Sequence, residues 1–309
     1  MPFNKLAQFK KVNSLDAEIK GAAFCGTEGL VAFVSSSPVR LGTNATNGGN
    51  GKVTNASFDT AEDVALFSRH AAVVKTGDYT LWSMLDILNK AKIDEVARDV
   101  KLLRGRPSGG EAFALLWDGS GLHVTAAKTE IETRAFPLRG DVRAVDVTDT
   151  ECWVVVDGEG GGQLRVHQGT TPEPGPVLRC DLPEEAKKFD RLRAGPRLAV
   201  LYKAGQSVAC LGVGAPNKLK AKMIRLEGKP ADLAVLETSL FAVYEDGRCA
   251  LYDSEAINNA VDGSLEAKHS VPIGGATPRV ALTITRGNAA IWVGTARGEV
   301  MMAAIGRKT

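Results

Sequence analysis

The sequence is poor in the residue types that build catalytic and metal sites. It has only four histidines, and no two of its five cysteines have the spacing of a local zinc site. It also lacks a Gly-x-Ser-x-Gly nucleophile motif and a P-loop. We therefore predict no catalytic residue, no cofactor site and no metal site, which favours a protein that is not an enzyme.

The chain also lacks a long apolar segment and a strong net charge. No run of about 18 apolar residues occurs, so we expect no membrane insertion. Charged residues interrupt the N-terminal segment, so we expect no signal peptide and an intracellular protein, cytoplasmic or nuclear, with reduced and buried thiols. A net charge of +2 over 309 residues makes general attraction to nucleic acid weak.

What the sequence does contain is a repeat, in which a tight polar turn precedes a short apolar run. From Thr27 to Gly287 the six intervals average about 43 residues, which is the period of a propeller blade. The turns are 25–29, 68–70, 118–121, 148–151, 194–196, 237–239 and 286–288. The runs that follow are predicted to be strands covered on both faces, at 30–34, 71–74, 122–125, 152–156, 198–202, 241–244 and 290–293.

This repeat predicts an all-β fold, a single seven-bladed β-propeller domain formed by residues 1–309. The predicted blades are 14–60, 61–107, 108–140, 141–184, 185–229, 230–275 and 276–309. The last blade has room for only three strands, and residues 1–13 are predicted to supply its outer strand and so close the ring. More polar outer strands are expected at 53–58, 177–181, 221–226 and 266–273.

Residues 82–106 interrupt the repeat. Apolar side chains at roughly helical spacing predict a short helix over 89–99, inserted between blades 2 and 3. A long connector followed by an outer strand at 100–103 is the alternative. This segment is expected to carry a protein-binding surface, because function in repeat scaffolds is usually carried by variable loops. The residues chosen for that surface are Trp82, Lys101, Arg104 and Arg106.

Residues 245–253, with the sequence EDGRCALYD, resemble the third-strand segment of WD40-type repeats. The spacing of such repeats covers the whole chain, although no blade carries their Gly-His start and Trp-Asp end. The chain is thus similar to a degenerate WD40 propeller. More faintly, residues 9–12 followed by a blade are similar to the N-terminal propellers of cytoplasmic-face nucleoporins.

A propeller repeat without catalytic residues favours a rigid platform for other proteins, as a subunit of a larger intracellular assembly. Its binding loops are expected on one face, where the connections between blades join the turns 76–78, 128–130, 203–205, 245–248 and 296–299.

Two other functions stay open. First strands of different blades could place metal ligands around the central channel, as in a metal-dependent hydrolase or lactonase. The candidate ligands are Asp63, His70, Glu111, His123, Asp146 and Asp232. Basic clusters at 5–11, 101–106, 187–193 and 218–222 could instead bind nucleic acid. Aromatic residues are only 6% of the chain and lie mostly in predicted core strands, which argues against stacking on bases.

Overall fold

The computed structural model describes residues 3–47, 51–87, 89, 91–127, 130–169, 177–215, 218–260, 263–274, 277–284 and 289–307. These residues form seven antiparallel sheets, and within six of them the strands follow one another along the chain. Each of those six is therefore a four-stranded meander, the unit of a propeller blade.

Two strands precede the first blade: β1 (Phe3–Leu6) and β2 (Lys10–Ser14). Blade 1 contains β3 (Ile19–Cys25), β4 (Leu30–Ser35), β5 (Arg40–Ala45) and β6 (Lys52–Asn55). Blade 2 contains β7 (Asp63–Leu66), β8 (Ala71–Lys75), β9 (Leu81–Leu85) and β10 (Lys92–Ala97). Blade 3 contains β11 (Val100–Gly105), β12 (Glu111–Leu116), β13 (Gly121–Ala126) and β14 (Ile131–Phe136).

Blade 4 contains β15 (Val142–Val147), β16 (Glu151–Val156), β17 (Gln163–Gln168) and β18 (Val177–Asp181). Blade 5 contains β19 (Arg191–Gly195), β20 (Leu198–Tyr202), β21 (Val208–Ala215) and β22 (Lys218–Arg225). Blade 6 contains β23 (Pro230–Leu236), β24 (Ser239–Tyr244), β25 (Arg248–Tyr252) and β26 (His269–Pro272). Blade 7 contains β27 (Pro278–Ile284), β28 (Ala290–Thr295) and β29 (Glu299–Arg307).

The N-terminal strands complete blade 7. β29 is long enough to pair with β28 along one edge and with both β1 and β2 along the other. Lys5 lies opposite Gly306, and Lys10 lies opposite Met302. The innermost strand of blade 7, β27, also contacts that of blade 1, β3. The predicted closure of the ring by the start of the chain is confirmed.

The hydrophobic core is divided among the boundaries between blades. The described residues form seven buried clusters, and each joins two adjacent blades around the ring. At the boundary between blades 7 and 1, for example, Trp292 is fully buried with its ring centroid 6.2 Å from that of Phe33. Because both faces of a second strand meet a neighbouring blade, β8, β24 and β28 are buried along their whole length.

The structure corrects the predicted helix over 89–99. Residues 92–97 form β10, the outer strand of blade 2, which pairs with β9 in the register Ile93 opposite Met84. An outer strand is exposed on one side and needs no strict alternation, so its apolar residues matched a helical spacing by chance. The α-helix of the described chain, α1 (Ser254–Asn259), lies in blade 6 and is capped by the side chain of Asp253, and a short 3-10 helix spans Glu184–Lys188 before blade 5.

Blade 3 is shifted by one strand from the prediction. Its first strand is β11, not the outer strand of blade 2, and its buried second strand is β12 rather than 122–125. The turn between first and second strands is therefore 106–110, whereas 118–121 joins the second strand to the third. The boundary predicted at 107 falls at 98–99 in the structure. No helix in the described part of the chain has the length and apolar character to cross a bilayer.

Candidate functional site

The two faces of the ring carry different loops. Because successive strands run in opposite directions, the connections between blades share one face with the turns between second and third strands. We call this the connector face. The predicted turns 76–78, 203–205, 245–248 and 296–299 lie on it. Residues 128 and 129 of the predicted turn 128–130 lie outside the described residues, and Glu130 precedes a fourth strand, β14, at the opposite face.

Two large aromatic side chains are exposed side by side on the connector face. Trp117, in the turn of blade 3, is 53% exposed, and Tyr79, in the turn of blade 2, is 43% exposed. Their ring centroids are 5.4 Å apart in an edge-to-face arrangement. The only other large hydrophobic side chain that is comparably exposed in the described chain is Val53. Aromatic side chains left at a surface are the kind that anchor protein interfaces.

Backbone hydrogen bonds hold both turns against the short connection between blades 2 and 3. The Val100 N–H donates to the Tyr79 carbonyl at 2.8 Å, and the Trp117 N–H donates to the Asp99 carbonyl at 2.9 Å. The two rings are therefore positioned by the boundary between the blades and not by one loop alone.

Tyr79 has a strained backbone, with φ at +64°. Its N–H donates to the carbonyl three residues earlier, and the same bond is made in blades 3, 6 and 7 by Gly119, Gly247 and Gly298. All three of those glycines also have positive φ. A bulky residue at a position that suits glycine costs about 1–2 kcal/mol, and strain of this kind is concentrated at functional sites.

Charged groups surround the pair. Asp78, Asp99 and Asp118 are exposed next to the rings in the chain. The Thr76 hydroxyl donates to Asp78 and lowers the pKa of that carboxyl, and Ser120 does the same for Asp118. We call the two aromatic residues, these three carboxylates and Lys101 the 79/117 patch.

The four residues predicted to form a protein-binding surface are not brought together. Trp82 is half-buried, with its ring centroid 5.5 Å from that of Phe58. Lys101 lies at the connector face, with Nζ 5.4 Å from the Trp117 ring centroid. Arg104 lies inside the ring, and Arg106 lies at the opposite face, where it is paired with Glu111 at 3.2 Å. Lys101, Arg104 and Arg106 follow one another along β11 and into the turn 106–110, from the connector face to the opposite face. They therefore present no common surface.

Arg104 belongs to a network of alternating charges on the innermost strands of blades 2 to 6. Its Nη1 is 2.8 Å from Asp63 of blade 2, and its Nε is 3.6 Å from Asp146 of blade 4. In blade 5, Arg193 is 3.1 Å from Asp232 of blade 6. These contacts are made between blades, so they hold adjacent first strands together around the centre of the ring.

Backbone and tyrosine donors complete this network. Asp146 accepts a hydrogen bond from the Ala194 N–H at 2.6 Å, and Asp232 accepts one from the Ala281 N–H at 2.9 Å. The Tyr202 hydroxyl also donates to Asp232, whose side chain is completely buried. Asp232 therefore links blades 5, 6 and 7 through one carboxylate.

The network contains more carboxylates than arginines, and the pKa values reflect this. Burial raises the pKa of Asp63 and of Asp146, and the nearby arginines offset this only in part. Burial acts in the same direction on Asp232, but there the paired Arg193 and the hydrogen bonds outweigh it and lower the pKa. Burial opposes the charge of Arg193, but its carboxylate neighbours raise its pKa well above the ordinary value.

The six candidate metal ligands are not gathered at one point, because each is engaged with other charged side chains or lies in a turn. The three aspartates contact arginines, and Glu111 lies 3.5 Å from His123 beside Arg106. His70 is exposed in a turn, 4.0 Å from Asp86. In the described ranges no three His, Cys, Asp or Glu side chains are grouped so as to hold a metal ion.

The turn 106–110 reaches across blade 2 to blade 1 on the face opposite the connectors. The Gly26 N–H donates to the Pro107 carbonyl at 2.7 Å, and the Thr27 N–H donates to the Ser108 carbonyl at 3.1 Å. A Cβ on Gly109 would lie 2.5 Å from the Cys25 Sγ, so the glycine allows this close approach. This turn ties three consecutive blades together.

The five cysteines are free thiols. Burial raises the pKa of half-buried Cys180 to about 11 and that of buried Cys210 to about 12. The thiols of Cys180 and Cys210 are therefore protonated and unreactive at neutral pH, and these residues pack as small apolar side chains.

Comparison with known proteins identifies the fold. The crystal structure of Sqt1 from Saccharomyces cerevisiae matches 99% of this chain and 100% of its own, with a TM-score of 0.63 and 9% sequence identity. No protein-family model and no curated protein matches the sequence. The predicted WD40-like, seven-bladed β-propeller is thereby confirmed as a fold.

Proposed function

We propose that this propeller is a non-enzymatic platform for protein interaction and that the 79/117 patch is its docking surface. WD40-like propellers typically act as such scaffolds. The observation that carries the proposal is the exposed pair of Tyr79 and Trp117, in which Tyr79 also has a strained backbone. Interfaces are enriched in Tyr and Trp, which bury large areas at a low cost in side-chain entropy.

The whole chain acts as one domain in this proposal, in which the ring is the rigid support. Hydrogen bonds from two blades fix the aromatic pair before any partner arrives, so little ordering has to occur on binding. The protein would serve as a subunit of a larger assembly. Its free thiols favour a reducing compartment, either the cytoplasm or the nucleus.

Site-specific photo-crosslinking tests the proposal. Trp117 is replaced by p-benzoylphenylalanine, and the full-length protein is irradiated in its native cell. We expect discrete protein adducts, identified by mass spectrometry. A matched control carries the same photo-reactive residue at Val53, which is also exposed but lies on the outer strand of blade 1. An identical set of adducts from both positions would refute the 79/117 patch as the docking surface.

A further inference from the structure

The two rings of the 79/117 patch already contact cations of their own chain. The Lys75 Nζ lies 5.1 Å from the centroid of the Tyr79 ring, and the Lys101 Nζ lies 5.4 Å from that of Trp117. Both distances are within the range of cation–π attraction, and Trp and Tyr are the aromatic side chains best suited to it. Each ring remains about half exposed, so part of it is open to a second group.

The charges that surround the rings are mainly negative. The ammonium group of Lys75 is paired with Glu62, and Arg98 is paired with Glu95 at 2.8 Å. Once these pairs are set aside, the patch carries three carboxylates, those of Asp78, Asp99 and Asp118, against the single ammonium group of Lys101. The electrostatic potential here favours a cation and opposes a phosphate group.

Two of those carboxylates are held through one oxygen, Oδ1, by hydrogen bonds from their own turn. The Thr76 hydroxyl and the Thr80 N–H both donate to Oδ1 of Asp78. The Ser120 N–H and hydroxyl both donate to Oδ1 of Asp118. These bonds fix the carboxylates in place, and Oδ2 of each takes no part in them. An incoming N–H donor would meet acceptors that are already oriented.

We infer that the 79/117 patch recognises a cationic side chain, arginine or lysine, on an extended segment of a partner protein. The guanidinium or ammonium group of that side chain would lie over the exposed part of the Trp117 and Tyr79 rings, and its N–H groups would donate to Oδ2 of Asp78 or Asp118. Arginine suits the site particularly well, because its planar guanidinium both stacks on aromatic rings and donates to carboxylates. This inference rests on the proposed function, since it names the chemistry of the partner at the same surface.

Fluorescence anisotropy with labelled peptides tests the inference. One fluorescein-labelled nonapeptide of glycine and serine carries three arginines, and its matched counterpart carries three glutamates. We expect the arginine peptide to bind the wild-type protein at low salt, to weaken as salt rises, and to bind better than the glutamate peptide. Trp117→Ala should weaken binding by about tenfold, as expected for an aromatic anchor, and Trp117→Phe should weaken it less.

Charge variants sharpen the test. Asp118→Asn keeps the Oδ1 acceptor of the turn but removes the charge, so it should weaken binding by about three- to fivefold. Lys101→Gln removes the ammonium group that lies over the Trp117 ring and should strengthen binding. Asp190→Asn is the matched control, because Asp190 is also an exposed aspartate at the connector face, but it precedes the first strand of blade 5, two blades away from Asp118. It should leave the affinity unchanged.

The outcomes separate this inference from the proposed function. Equal binding of the arginine and glutamate peptides, or an unchanged affinity in Trp117→Ala, would overturn the recognition of a cation. A single-stranded RNA 20-mer that competes at Trp117 would also overturn it. If any of these results accompanied specific photo-adducts at position 117, the docking surface would stand and only the chemistry of its partner would be wrong.

Discussion

Replacing Arg193 by leucine should cost the protein more stability than almost any other surface or channel substitution of a single charge. Its guanidinium is the cation paired with Asp232, at 3.1 Å, and the Asp232 side chain has no exposure to solvent. Leucine retains the aliphatic part of the side chain, but it leaves the Asp232 carboxylate with only two of its hydrogen-bond donors, the Tyr202 hydroxyl and the Ala281 N–H. Removing one partner of a buried ion pair costs about 3–5 kcal/mol, because the remaining charge is neither hydrated nor paired.

Urea unfolding followed by tryptophan fluorescence measures this loss. The matched control is Arg279→Leu, which removes an ion pair with Glu18 at 2.6 Å whose side chains are 44% and 31% exposed. Water solvates both groups there, so the cost should be about 0–1 kcal/mol. Adding Asp232→Asn to Arg193→Leu should restore part of the stability, since the amide carries no charge and its oxygen can still accept hydrogen bonds.

The pH dependence of the Arg193→Leu variant has a definite sign. In the wild type the pKa of Asp232 is lowered, so its contribution to stability is present above the unfolded pKa and is lost on acidification. Arg193 is the largest cause that opposes burial, so without it we expect burial to raise the pKa of Asp232 in the folded state and favour uptake of a proton. The loss in free energy of unfolding of Arg193→Leu relative to wild type should therefore be smaller at a pH of about 5 than at about 8.

The reasoning would be refuted if Arg193→Leu and Arg279→Leu lowered the free energy of unfolding equally. That result would mean that the charged network across the first strands contributes no more than a surface pair.

Two further predictions concern the turn 106–110 and the cysteines. Gly109→Ala should destabilise the fold more than Gly110→Ala in the same urea experiment: both glycines have positive φ, but a Cβ at 109 would lie 2.5 Å from the Cys25 Sγ, whereas nothing lies within 4 Å of one at 110. Equal midpoints would mean that the turn does not press against blade 1. The native protein should show slow reaction with Ellman's reagent at one thiol at most, that of half-buried Cys180, and all five thiols should react after unfolding. Rapid reaction of several thiols in the native state would contradict their burial.

The blade pattern could be predicted because it is local. A strand covered on both faces must be apolar at nearly every position, so β8 and β28 are visible in the sequence as short runs such as 71–74 and 290–293. The outer strand β10 contains no buried residue and carries no such pattern. Only its pairing with β9 distinguishes it from a helix, and that pairing depends on residues elsewhere in the chain.

The charged network was missed for a different reason. By residue type and position, Asp63, Asp146 and Asp232 are possible metal ligands, whereas Arg104 and Arg193 fall within basic clusters of the sequence. A signal was present, because all five stand about one blade period apart with alternating charge, although Arg104 lies outside the predicted first strands. Such a series of opposite charges on neighbouring innermost strands indicates pairs between blades rather than a metal site.

The number of blades, the buried second strand of every blade except the third, and the role of the N-terminus in closing the ring are visible in the sequence, because they follow from hydrophobic pattern and period. The tertiary structure alone decided which charges meet at the centre and which aromatic residues remain outside. Tyr79 and Trp117 lie in turns of different blades and become neighbours only when those blades pack. Their exposure depends on which side of the connection between blades 2 and 3 each turn occupies, and no local pattern of residues encodes that.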